Sequence, residues 1–146
     1  MIHNPITQLE QLTITNASKN FLKETAKWAK FLAIIGFILI AIMLVFAVFA
    51  TTIFDLAGKM QPGMPESLGL TMTVTYLLLS IIYFFPVYYL LQFSNKMKNA
   101  LSTKNDETLA NAFEMLKSHY KFIGVFTIIT LSLYALLIIV ATMGAI

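Results

Sequence analysis

Thr73, Tyr76, Ser80 and Tyr83 follow one another at steps of three, four and three residues, with Pro86 three further on. On a helix such spacing gathers the hydroxyls onto one side. Hydroxyls placed this way can bind a neighbouring helix, or they can line a polar path through an assembly. Pro86 has no N–H to donate, so it loosens the helix beyond it. A second set is cationic. Lys19, Lys23 and Lys27 recur every fourth residue and Lys30 follows. A lysine face of that kind can contact anionic lipid headgroups, each lysine contributing about 1 kcal/mol near a charged leaflet.

The remaining polar residues offer little chemistry. His119 stands just before Lys121 and suits an amphipathic side chain at an interface; a metal or pH-sensing role is the sharper alternative. His3 belongs to a terminal tail. Glu114 and Lys117 make at most a solvated helix pair. Asp106 and Glu107 suit the first turn of a helix, where the dipole favours negative charge. There is no cysteine. The sequence contains no glycine-rich phosphate loop and no Ser/His/Asp constellation. No catalytic, cofactor-binding or metal-binding residue is therefore expected, and the chain reads as a non-enzyme.

These residues are carried by elements of an unusual kind. Three stretches lack any charged residue: Phe31 to Phe54, Ser67 to Asn95 and Phe122 to Ile146, of 24, 29 and 25 residues. A bilayer core roughly 30 Å thick needs about 20 apolar residues of helix. Hydrophobic residues make up 58% of the chain and charged residues 12%, against about 25% charged in a soluble domain. No ionisable side chain lies deep in any stretch, which argues against proton-coupled transport. The expected fold is all-α: a three-span transmembrane helical bundle, with two cytoplasmic amphipathic segments continuing into spans one and three.

All ten basic residues are lysines. Nine lie before span one or between spans two and three; only Lys59 lies between spans one and two. The positive-inside rule then puts the N-terminus in the cytoplasm and the C-terminus outside. The net charge of +3 reflects this orientation, and no nucleic-acid surface is expected. Residues 1–146 read as one integral membrane domain. It divides into a tail (1–15), an amphipathic segment (16–30), span one (31–54), an outer loop (55–67), span two (68–94), a cytoplasmic loop with an amphipathic helix (95–121) and span three (122–145).

Within the outer loop, Gln61-Pro62-Gly63-Met64 suits a type II turn. Asn16 is the expected cap of the first segment, with Phe21, Trp28 and Leu32 opposite the lysines. Leu109, Ala112, Phe113, Leu116 and Tyr120 form the apolar stripe of the second segment, capped by Asn105 or Thr103. Both segments pass into their spans without a glycine or proline break, as one long bent helix or as an interfacial helix joined at a shallow bend. Gly36, Ala47, Ala50 and Thr51 in span one are small enough for close helix packing, as are Gly124, Thr127, Ser132, Ala135, Ala141 and Gly144 in span three.

Two parts of the chain resemble a group of small multi-pass bacterial membrane proteins of the domain-of-unknown-function type. One runs from Lys23-Glu24-Thr25-Ala26-Lys27-Trp28 through Gly36. The other comprises Phe85-Pro86-Val87-Tyr88-Tyr89-Leu90, Phe93 to Lys98, Ala100-Leu101, Asp106, Leu109, Ala112-Phe113 and Leu116-Lys117. The resemblance implies a bacterial inner-membrane home and brings no activity with it. The expected role is a scaffold or accessory subunit acting through helix–helix assembly, with the lipid bilayer and either a second copy or a membrane complex as partners. An oligomeric pore or small-solute facilitator, or a lipid or surface-charge sensor, are the alternatives.

Overall fold

The computed structural model describes residues 14–60, 63, 65 and 67–144. His3 and most of the tail, Gln61, Pro62, Met64, Glu66, Ala145 and Ile146 lie outside the described residues. The described chain is three helices: α1 (Asn16–Met60), α2 (Leu68–Thr103) and α3 (Asp106–Gly144). All three are long enough and apolar enough to cross a membrane. At 1.5 Å per residue their 45, 36 and 39 residues measure about 67, 54 and 58 Å. Each therefore exceeds the roughly 30 Å hydrocarbon core of a bilayer.

The helices reach further than the charge-free stretches. α1 continues past Phe54 to Met60, and α2 continues past Asn95 to Thr103, so a two-residue connection, Lys104-Asn105, joins α2 to α3. Gly63, with φ 110°, has the positive φ that the third residue of a type II turn requires.

Capping explains where the helices begin. Thr15, not Asn16, caps α1: its Oγ1 accepts from Ser18 N–H at 3.2 Å, while its carbonyl accepts from Lys19 N–H. Its side chain thus reaches the N3 donor of the first turn. Asn105 caps α3, with Oδ1 accepting from Thr108 N–H at 2.9 Å. α2 ends at Lys104, which adopts the left-handed conformation (φ 54°, ψ 40°) and donates its N–H to Ala100 O. Asn105 N–H also bonds to Ala100 O.

The arrangement is a layer with α2 in the middle. Among the described residues, α1 approaches α2 and α2 approaches α3, but the backbones of α1 and α3 do not meet. A closed three-helix bundle is thus replaced by two antiparallel pairs sharing a helix. The antiparallel path also brings nine lysines to one end: Lys19, Lys23, Lys27 and Lys30 on α1, Lys96 and Lys98 on α2, Lys104, and Lys117 and Lys121 on α3.

The most buried part of the molecule lies at this lysine-rich end. Ala26, Ala29, Phe93, Met97 and Ala112 form a core, covered by Leu22, Leu90, Leu101, Leu109, Met115 and Leu116. Residues 16–30 and 106–121 are therefore unbroken parts of α1 and α3 and pack with the end of α2. Their outer aromatics, Phe21, Trp28, Phe113 and Tyr120, remain exposed.

Candidate functional site

On α1, Ala26, Ala29, Ala33, Gly36, Ile40, Met43, Ala47 and Ala50 recur at alternating steps of three and four, and each is buried or half-buried. A repeat of seven keeps one seam facing a partner in a left-handed pair of helices. Thr73, Ser80, Val87 and Ser94 recur every seventh residue on α2 and supply the other side of the seam.

The contacts hold one antiparallel register over this length. At the lysine-rich end, Ser94 Oγ donates to Ala26 O at 2.5 Å. Further along, a methyl built on Gly36 would lie 2.6 Å from Val87 Cγ2. Thr73 Oγ1 donates to Ala47 O at 3.1 Å and lies 3.2 Å from Thr51 Oγ1. Near the turn a methyl on Gly69 would lie 2.9 Å from Thr51 Cα. The small residues let the two backbones approach closely, as they do where helices associate within membranes.

The hydroxyl stripe does not stay on one face. Tyr76 stacks with Phe46 of α1 at a centroid distance of 6.2 Å. Ser80 is buried and donates to Tyr76 O at 2.7 Å. Tyr83, by contrast, meets Phe126 of α3 edge-on at 6.3 Å. Pro86 is buried in an otherwise continuous α2, and its carbonyl accepts from His119 Nδ1 of α3 at 2.7 Å. The reason is angular. The steps from Thr73 to Pro86 are shorter than 3.6 residues on average, so the stripe turns by about 140° around the axis. A stripe turning that far on a central helix passes from one neighbour to the other.

The α2–α3 pair is shorter than the α1–α2 pair. His119 binds Pro86 O, Phe122 stacks with Phe85 at 6.0 Å, and Phe126 meets Tyr83. The acceptor at Pro86 is a carbonyl, so His119 Nδ1 must carry the proton. Thr130 is the last half-buried residue of α3; from Leu131 to Gly144 every residue is exposed. A groove of about 380 Å3 runs along this pair, lined by Tyr89, Lys121, Phe122, Val125, Phe126 and Ile129.

Lys19, Lys23, Lys27 and Lys30 are all exposed and flank the α1 seam. No group of three or more His, Cys, Asp or Glu able to hold a metal exists among the described residues.

The model of a family of unknown function (DUF5362) matches residues 68–142, just over half of the sequence. This chain belongs to that family. The matched region takes in α2 and almost all of α3, hence the His119–Pro86 bond and the groove; α1 and its small-residue seam precede it. No curated protein and no solved structure matches the chain significantly.

Ser94 and the alanines at 26, 29 and 33 are the participants that a reading of residue types passes over. Their signal is the seven-residue repeat of small side chains, which continues from span one back into the lysine-rich segment.

Proposed function

We propose that this protein is an integral membrane scaffold or accessory subunit, not an enzyme, that assembles through its third helix with a second copy of itself. One observation carries this: from Leu131 to Gly144 every residue of α3 is exposed, although α1 and α2 are closely paired over the corresponding depth. Helices surrounded by lipid associate through packing and hydrogen bonds, so an unpaired half-helix is available to another helix. Supporting the assembly role over a permeation path, Thr73 and Ser80 spend their hydroxyls on backbone carbonyls. They are not left to line a channel.

The lysine-rich end and the N-terminus belong in the cytoplasm of a bacterial inner membrane, with the Gly63 turn and the C-terminus on the other side. The support is the clustering of nine lysines at one end and the positive-inside rule. On this reading the core around Phe93 and Met97 is a small helical head on the cytoplasmic side. A lipid- or charge-sensing role is the second reading, favoured by the exposure of Lys19, Lys23, Lys27 and Lys30.

The sequence has no cysteine, so single cysteines can be placed without background. Single cysteines placed one at a time at each position from Leu131 to Thr142 are oxidised in native membranes. Disulfide-linked dimers should form at positions three or four apart, because bridging needs Cα atoms about 4.4–6.8 Å apart. If no position between residues 131 and 142 yields a dimer, self-assembly through α3 is refuted.

A further inference from the structure

We infer that the groove between α2 and α3 is a binding site for one acyl chain of an anionic phospholipid, with Lys121 holding the headgroup phosphate. The inference rests on the membrane placement proposed above, and it is independent of assembly through α3.

Three observations meet at this groove. The first is its chemistry. Phe122, Val125, Phe126 and Ile129 make its wall, and its polar contributions come from Tyr89, Ser118 and Lys121. Ser118 already donates to Glu114 O at 2.9 Å, and Lys121 is the one cationic residue among those lining the groove. The second is depth. Lys121 is the last charged residue of the chain, so the groove begins where the membrane-facing run begins. Between Ser118 and Ile129 the helix rises about 16 Å, close to half of the roughly 30 Å hydrocarbon core. One leaflet's acyl chain has that reach. The third is size: about 380 Å3 falls within the roughly 300–1,000 Å3 of small-molecule sites.

The charge selects the occupant. A zwitterionic lipid carries its own cation beside the phosphate and gains less from Lys121, whereas an anionic lipid satisfies it. The two phenylalanine rings of the wall, both on α3, are held in place from within the protein. Phe122 stacks on Phe85, and Phe126 meets Tyr83, so the wall exists before a lipid arrives and binding orders little else. The second groove, bounded by Ile40, Leu44, Ser80, Ile81, Phe84 and Phe85, has no cation at its edge and gives no such selection.

The test uses the full chain in nanodiscs of equimolar phosphatidylglycerol and phosphatidylcholine with identical acyl chains, released into native mass spectrometry. The intact protein should retain one phosphatidylglycerol in about fivefold preference over phosphatidylcholine, the factor expected for one lysine beside a lipid of net negative charge. Lys121→Gln should bring the two lipids to near parity, and Val125→Trp, which fills the groove, should reduce retention of both. Lys23→Gln on α1 should change neither. Equal loss in Lys23→Gln and Lys121→Gln would mean diffuse attraction to lysines and overturn the site, as would an unchanged preference in Lys121→Gln. Circular dichroism checks that each variant keeps its helices; if Val125→Trp does not, Lys121→Gln decides alone. Carbonate extraction of native membranes separates the two proposals. A chain released by carbonate removes the membrane placement itself, whereas a retained chain without lipid preference removes only the groove.

Discussion

Three glycines test how closely the helices approach, because the same substitution should have three different outcomes. Replacing glycine by alanine inside a helix gains up to about 1 kcal/mol from backbone propensity alone. At Gly124 a methyl would meet nothing within 4 Å, so Gly124→Ala should be neutral or stabilising by up to about 1 kcal/mol. At Gly36 the methyl would sit 2.6 Å from Val87 Cγ2 and 3.0 Å from Cγ1. Valine is stiff at χ1 and cannot swing away freely. Overpacking costs about 1–3 kcal/mol, so Gly36→Ala should be destabilising by up to about 2 kcal/mol once the propensity gain is subtracted.

At Gly69 the obstacle is backbone: Thr51 Cα at 2.9 Å and its carbonyl oxygen at 3.2 Å. There the helices themselves must separate by something approaching 1 Å, a gap that forfeits a quarter to a half of the dispersion energy across it. Separation would also stretch the Thr73 bond to Ala47 O. Gly69→Ala should therefore be destabilising by about 2–3 kcal/mol. The decisive measurement is rescue. Helix content followed against the mole fraction of SDS gives the stability of each variant in mixed micelles. Adding Val87→Ala should recover most of the Gly36→Ala loss, with a coupling energy of about 1–2 kcal/mol, and should leave Gly69→Ala unrescued. If Gly69→Ala matches the wild type, or if Val87→Ala adds to the Gly36→Ala loss instead of relieving it, the close α1–α2 seam is wrong.

Two further substitutions probe the lysine-rich end. Ser94→Ala removes the bond to Ala26 O and should lower stability by about 1 kcal/mol in the same titration; no change would show that the bond contributes nothing to the head. Lys104→Gly relieves a lysine held at φ 54°, a conformation costing about 1–2 kcal/mol for a residue with a Cβ. It should raise stability by up to about 1 kcal/mol, and a loss would indicate that the Lys104 side chain is needed where it stands.

Hydropathy accumulates locally, residue by residue, and so the existence of three long apolar helices was legible from where charge stops and resumes, while their ends, which run past those points, were not. The lysine asymmetry was legible for the same reason, and the fold brings those nine lysines to one end. Gly36, Ala47, Ala50 and Thr51 announced close packing through their size. The family match adds membership and no activity.

What only the tertiary structure decided are the facts that depend on neighbours distant in the chain. A lysine-flanked segment with aromatics opposite reads equally well as a helix lying on a membrane or as one standing beside others. Alanines 26, 29 and 33 are silent on the choice until Ser94, Phe93 and Met97 are seen against them. The hydroxyls from Thr73 to Tyr83 share a face by local spacing, yet their division between α1 and α3 follows from α2 being central. Likewise all three helices carry a long charge-free stretch, but buried residues run along α1 from Ala26 to Ala50, whereas every residue of α3 from Leu131 to Gly144 is exposed. Apolarity sets how far a helix extends through lipid, and contact geometry sets which of its faces remain available for lipid or for another helix.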